Sequence, residues 1–276
     1  MPCIVRLLSP TTIVTASWDG ESLADTVCFE PEDGVYTITN TYNTTQVLKM
    51  DAHLDRLEDS AQRANIALIY DRVRLRNALR EMILAANWGN VRFRITVGRA
   101  QPDTLILSIE PFKPLAAEVL ERGTRTITAP NAARHNPEAK TTDWAIKRKS
   151  LQDAMPSGIY DTFLQDENGY ILEGLGSNFY CILNGILYTA GEGVLKGISQ
   201  QIVLEIASSI LVVKLKAVYV SQIPQMQEAF LSSSSRGIVP VVEIDGYAIG
   251  DGKVGEKTKA LRAAYGVWLA THLEEL

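Results

Sequence analysis

The sequence predicts a mixed α/β chain of the α+β kind, built as two domains. Three observations lead there. The first half alternates two amphipathic helical stretches with strand-like runs. The second half carries hairpin signals, strongest at Asn184-Gly185, a two-residue turn pair between apolar runs. Between the halves lies Pro111 to Glu118, which holds Pro111 and Pro114 and reads as a linker. A length of 276 residues fits one large domain or two medium ones. The expected layout is an N-terminal domain over 1–112, a linker over 113–122 and a C-terminal domain over 123–276. A site between two such domains is expected, because ligand pockets favour domain boundaries.

The elements follow in order. Thr12–Thr15 and Val35–Thr39 read as strands. Leu48–Ile66 is helical, because Leu54, Leu57, Ala61 and Ala64 recur at three-to-four spacing. Val73–Trp88 is a second amphipathic helix, closed by Gly89. Val91–Val97 and Thr104–Ile109 pair as strands, and Arg125–Ala129 is another. Thr142–Met155 is helical and stops before Pro156-Ser157-Gly158. Thr162–Gln165 and Tyr170–Leu172 flank a turn at Asp166–Gly169, and Phe179–Leu183 and Ile186–Thr189 flank Asn184-Gly185. Ser199–Leu211 is a helix, and Gly252–Leu276 contains the last one.

Composition narrows the function classes. Hydrophobic residues make up 46% of the chain, enough for a sizeable core. A net charge of −5 argues against a nucleic-acid partner, which needs a basic face. No apolar run is long enough to span a bilayer, and the N-terminus lacks the pattern of a signal peptide. Cys3, Cys28 and Cys181 are odd in number and show no metal-like spacing, so no metal is expected and a reducing cytoplasm fits. Neither a phosphate-loop motif nor a hydrolase nucleophile elbow is present.

The informative stretch is Glu173-Gly174-Leu175-Gly176-Ser177-Asn178-Phe179-Tyr180. Upstream lies Ala139-Lys140-Thr141-Thr142, and downstream Leu195-Lys196-Gly197-Ile198-Ser199 opens a helix. A lysine, an acidic–glycine element ending in Ser-Asn-aromatic, and a Gly-Ile-Ser turn in this order resemble the fold-type-IV pyridoxal-phosphate enzymes, also called class IV aminotransferases. The resemblance runs from about Val35 to the C-terminus. It implies a two-domain architecture with the active site between the domains, bound pyridoxal 5′-phosphate, and a homodimer. It also implies transfer of an amino group between an amino acid and a 2-oxo acid, of branched-chain or D-amino-acid type. Two alternatives stay open: a lyase of the aminodeoxychorismate type that eliminates pyruvate, and a non-catalytic cofactor-binding homologue.

The resemblance assigns roles residue by residue. Lys140 is the lysine that holds the cofactor and serves as the base, with Lys147 and Lys149 its neighbours in sequence. An amine suits both tasks, although an isolated lysine is usually a solvated surface group. Glu173 faces the pyridine nitrogen, because a carboxylate there sustains the protonated ring. Ser177 and Asn178 belong to the same cofactor-binding element. Ile198 and Ser199 open a helix whose start is suited to an anion. Arg56, in His53-Leu54-Asp55-Arg56-Leu57, matches the family's phosphate arginine; its plain alternative is an i,i+3 pairing with His53 on a helix surface. Ser233 and Ser234, in the run Ser232–Ser235, complete the phosphate cup, or else form a polar loop. At the substrate end stand Tyr36, Arg92 and Arg236, with arginine the natural fork for a carboxylate. Two positions depart from the family pattern. Gln200 stands where arginine is usual, and Trp144 stands nearest the place of a tyrosine found in branched-chain members.

Overall fold

The computed structural model describes residues 3–18 and 20–276. It divides into two compact units. The first holds residues 1–113, 139–149 and 272–276; the second holds 114–138 and 150–271.

In the first unit the strands are β1 (Ile4–Leu8), β2 (Ile13–Thr15), β3 (Gly34–Tyr42), β4 (Gln46–Leu48), β5 (Val91–Gly98) and β6 (Gln101–Pro111). With a C-terminal strand, Leu273–Glu275, they form an antiparallel sheet in the order C-terminal strand, β4, β3, β5, β6, β1, β2. Helices α1 (Met50–Arg63) and α2 (Arg72–Ala86) cover one face. The α1 residues Met50, Leu54, Leu57 and Ala61 are buried, as their spacing requires, while Asp51, Asp55 and Asp59 face water. Asp71 caps α2 by accepting from the Arg74 N–H at 2.8 Å, and Asn87, in the left-handed region, closes it two residues before Gly89. The covered face takes Val35 and, by strand alternation, Thr37 and Thr39 from β3; Tyr36, Ile38 and Asn40 point the other way.

That second face is polar and filled from the N-terminal segment. Arg94 of β5 is 2% exposed. Its guanidinium reaches Glu30 at 3.0 and 2.5 Å, Thr26 at 2.7 Å and the Leu23 carbonyl at 2.7 Å. Thr96 donates to the other Glu30 oxygen at 2.7 Å. A buried charge is tolerated only when paired and hydrogen-bonded in this way.

The second unit holds α3 (Ala117–Arg122), β7 (Thr124–Ala129), the later part of α4 (Thr142–Asp153), β8 (Asp161–Gln165), β9 (Tyr170–Gly174), β10 (Asn178–Leu183) and β11 (Ile186–Thr189). It continues with α5 (Ile198–Ala207), β12 (Val212–Leu215), β13 (Val218–Tyr219), β14 (Glu228–Ser233), β15 (Gly237–Ile244), β16 (Tyr247–Ala248) and α6 (Glu256–Thr271). Pairings β7–β8, β8–β9, β9–β10, β10–β14, β14–β15 and β15–β7 close on themselves. A closed ring leaves no open edge among those strands and explains why every residue of β10 is buried. Asn184 and Gly185 both take positive φ, 50° and 73°, as a tight hairpin turn demands.

Several sequence expectations differ from the structure. The C-terminal block 123–276 is not continuous. Residues 139–149 pack with the first unit because Val35 pairs with Thr141, and residues 272–276 do so because Leu273–Glu275 pairs with β4. The stretch 113–122 is not a bare linker, since α3 fills its second half. The second unit is less hairpin-like than expected: β7–β8, β7–β15 and β11–β12 are parallel. Among the described residues no helix is long and apolar enough to cross a membrane.

Candidate active site

The site residues expected from the sequence divide between the two units. In the first unit, Lys140 sits on a fixed stretch of backbone. Its N–H donates to Ser60 Oγ at 3.1 Å, and its carbonyl accepts from the Tyr36 N–H at 2.9 Å. Its side chain is half-buried, with Nζ 4.7 Å from the centroid of the Tyr36 ring. An ammonium over a phenol face is held by the ring quadrupole, which fixes where the amine stands. The Tyr36 hydroxyl accepts from Arg148 Nη1 at 3.3 Å, and the ring packs with Val27 and Ala145.

Arg56 lies half-buried on α1, one turn from His53. His53 is not on the helix surface. It is 1% exposed, on the α1 face that covers β3, with Nδ1 2.9 Å from Thr37 Oγ1. Burial, with Arg56 and Lys140 adding positive charge, holds its pKa well below the ordinary histidine value. The sign is definite. Below the ordinary histidine pKa near ~6.5 the unfolded chain takes up a proton that the folded chain refuses. This group's contribution is therefore intact above that pH and lost as pH falls. Denaturant unfolding from pH 7.5 to 5 should show stability declining, and the decline should be shallower in His53→Asn.

Arg92 and Arg94 do share a face of β5, but Arg94 is committed to Glu30. Arg92 is the more exposed of the two, with a side chain 38% accessible and Nη1 3.4 Å from Glu110. The other Glu110 oxygen accepts from the Leu23 N–H at 2.8 Å.

In the second unit, Glu173 is buried with its side chain 6% exposed. Arg134, 4% exposed, supplies the counter-charge at 3.4 Å, and the Leu195 N–H donates to Glu173 Oε2 at 3.2 Å. A carboxylate offers about four lone-pair directions, so these contacts and a further donor can be accepted together. Asn178 Nδ2 donates to the Leu195 carbonyl at 2.9 Å. A Cβ at Gly197 would stand 2.2 Å from Asn178 Oδ1, so any side chain there would displace the Asn178 amide. Glu173 and Asn178 thus clamp Leu195–Gly197, the segment that opens α5. The α5 start has no side-chain cap, leaving its first N–H groups, with Ile198 and Ser199, for another acceptor.

Ser177 donates to Asp161 Oδ2 at 2.9 Å, and Asp161 Oδ1 accepts from the Leu175 N–H at 3.1 Å. Ser177 and Asn178 therefore shape the loops around Glu173 with their side chains. Arg236 donates to Ser233 Oγ at 2.8 Å and to the Gly176 carbonyl at 3.3 Å, and lies 3.8 Å from Asp161. Ser233 ends β14 and Ser234 begins the turn after it, so the serine run is partly strand and not wholly loop. Ser199 Oγ lies 3.0 Å from the Tyr265 hydroxyl of α6. Gln200 is buried and donates to the Ala190 carbonyl at 3.4 Å, and Trp144 is buried on α4.

Sequence reasoning missed Arg134, Asp161, Thr37 and Tyr265. Thr37 was within reach, because strand alternation sets it opposite Tyr36 and toward the helices. Arg134 lies in the aperiodic stretch Asn131–Pro137, where charge was its only signal.

Comparison with known proteins supplies the family. The profile of the family described as "Amino-transferase class IV" matches residues 34–244. The chain is 26% identical to a branched-chain-amino-acid aminotransferase of Pseudomonas aeruginosa, over 84% of this chain and 82% of that one. It is 26% identical to a D-alanine aminotransferase of Bacillus licheniformis, over 84% and 86%. The solved branched-chain aminotransferase of the thermophilic archaeon Thermoproteus uzoniensis superposes with a TM-score of 0.81 over 99% of both chains at 19% identity, a likeness of fold. The chain belongs to the class IV aminotransferase family, enzymes of fold type IV that work with pyridoxal phosphate.

Proposed function

We propose that the chain transfers an amino group between a small amino acid and a 2-oxo acid. Within the family, the observation that carries this reading is the clamp from Glu173 through Leu195–Gly197 to the uncapped start of α5. It links a buried carboxylate to an anion site, the two features that a protonated pyridine with a phosphate requires. The residues present therefore fit the cofactor. When bound, it supplies an aldehyde for an amine and an electron-withdrawing ring.

The protein side divides the work. Lys140 Nζ anchors the cofactor, then removes and returns the proton at the substrate α-carbon. Glu173, balanced by Arg134, holds the proton on the ring nitrogen. Arg56, the first N–H groups of α5 with Ile198 and Ser199, and the hydroxyls of Ser199, Ser233 and Ser234 bind phosphate. Ser177 and Asn178 keep the Glu173 and Gly197 loops in place. Tyr36 positions Lys140 and borders the substrate, while Arg92 and Arg236 offer guanidinium groups for a carboxylate. A homodimer in the cytoplasm completes the proposal. The cysteines Cys3, Cys28 and Cys181 are all unbridged, as a reducing compartment favours.

A screen of branched-chain L-amino acids and of D-alanine with 2-oxo acid acceptors tests the reading. Amino transfer that requires the acceptor is the expected result. Pyruvate release from a chorismate-derived amine without an acceptor would replace transfer by elimination, and a protein with no absorbance near the visible after cofactor addition would contradict both.

Two arginines give separable outcomes. Arg56→Ala should weaken cofactor binding about ten- to hundredfold, the equivalent of one charge-assisted anchor of about 1.5–3 kcal/mol, and excess cofactor should restore most turnover. Arg92→Ala should retain cofactor and raise KM for substrates with an α-carboxylate. Titration of each variant with cofactor and with substrate checks the division; exchanged phenotypes would reverse the two roles.

A further inference from the structure

Thr37 and His53 of the first unit, which the proposed reaction leaves unused, form a relay with the phosphate arginine, Arg56. Thr37 Oγ1 lies 2.9 Å from His53 Nδ1. Arg56 Nη2 reaches Thr37 Oγ1 at 3.4 Å and His53 Nδ1 at 3.5 Å, both long contacts. Their proton positions follow from donor chemistry. A guanidinium only donates, so Thr37 Oγ1 presents one of its two lone pairs to it, and the 3.5 Å approach of Arg56 to Nδ1 is favourable only if Nδ1 carries no proton. The Thr37 hydroxyl then has its own proton to give, and Nδ1 is the acceptor within reach. Nδ1 is therefore bare, the ring proton sits on Nε2, and the imidazole is neutral. An imidazolium would set a donor against Arg56 and add a further positive charge where Arg56 of α1 and Lys140 of the 139–149 segment already act; β3 brings only the uncharged Thr37.

The relay fixes one end of a flexible side chain. A free arginine loses rotamer freedom when it closes on an anion, and preorganisation removes part of that cost. His53 and Arg56 stand three apart on one helix, so the imidazole and the guanidinium share a face. With His53 fully buried, its position is set by packing.

We propose that His53, kept neutral and oriented by Thr37, is the positioning residue that presents the Arg56 guanidinium to the cofactor's phosphate. This rests on the reading of Arg56 as a phosphate anchor. It separates His53 from a purely structural core residue, because its effect must depend on the phosphate.

The test compares dissociation constants of the apo-protein for pyridoxal phosphate and for pyridoxal, which lacks the phosphate, by fluorescence quenching. His53→Leu should weaken pyridoxal phosphate about tenfold and leave pyridoxal within about twofold. His53→Asn, whose Oδ1 stands in for Nδ1, should stay within about threefold of the parent for both. Thr37→Val, nearly isosteric, should show the His53→Leu pattern and serves if that variant does not fold. Equal weakening of both ligands by His53→Leu, or no weakening of either, overturns the proposal. Arg56→Ala separates the two readings. If it leaves the ratio of the constants unchanged, the phosphate assignment itself fails. If it collapses the ratio while His53→Leu and Thr37→Val do not, only the role of His53 fails.

Discussion

Lys140→Ala is expected to lower turnover by at least about a thousandfold while leaving the protein folded, because it removes both the anchoring amine and the base. The backbone at this position is held by main-chain groups that alanine keeps. The Lys140 N–H bonds Ser60, its carbonyl bonds the Tyr36 N–H, and Thr141 bridges Val35. What alanine removes is the ammonium 4.7 Å above Tyr36. Borohydride reduction of the cofactor-loaded protein, followed by peptide mapping, should mark Lys140. Lys147 is exposed on α4, and a mark there or on Lys149 would move the anchor by one helix face or more. Circular dichroism of Lys140→Ala checks that the loss is chemical.

Glu173→Gln should produce two separable losses. Turnover should fall by at least about a hundredfold, since a neutral amide cannot balance a protonated ring, and a few kcal/mol of transition-state stabilisation corresponds to that factor. The structure adds the second loss. Arg134 would be left 4% exposed beside an amide instead of a carboxylate. Breaking a buried pair from one side costs about 3–5 kcal/mol, so the thermal midpoint should drop as well. Replacing Arg134 with methionine in the Glu173→Gln background should recover part of the midpoint but none of the rate. Near-normal turnover in Glu173→Gln would remove Glu173 from the chemistry, whatever the stability shows.

Much of the first unit was legible because its signals are local. The α1 stripe of Leu54, Leu57 and Ala61 needs only a helical period, and β5 and β6 pair across a short turn. The Asn184-Gly185 hairpin is equally local. Strands β14 and β15 escaped for the opposite reason. Serines 232 and 233 look like loop residues, yet they end a strand whose neighbours, β10 and β15, lie on both sides. The candidate lysine and carboxylate were legible as motifs, but not their supports. Arg134 and Glu173 are 39 residues apart, and Thr37 and Arg56 are 19 apart. Such pairings depend on tertiary register, which no window of sequence contains.

The composite make-up of the first unit has a consequence for how the chain is made. Domains ordinarily fold in turn as they leave the ribosome, N-terminal first. Here the sheet that carries α1 gains its strand at the β4 edge only from Leu273–Glu275, and Val35, already paired with Val97, gains its second partner only from Thr141. Glu274 also accepts from the Met50 N–H, standing in for the side-chain cap that Lys49 does not give to α1. During synthesis the nascent first unit must therefore wait, with an unpaired β4 edge, until the second unit has been translated. A pause in translation within the second unit would prolong the interval in which that edge is open to other chains, and the helix bearing His53 and Arg56 would be the last to acquire its full N-terminal support.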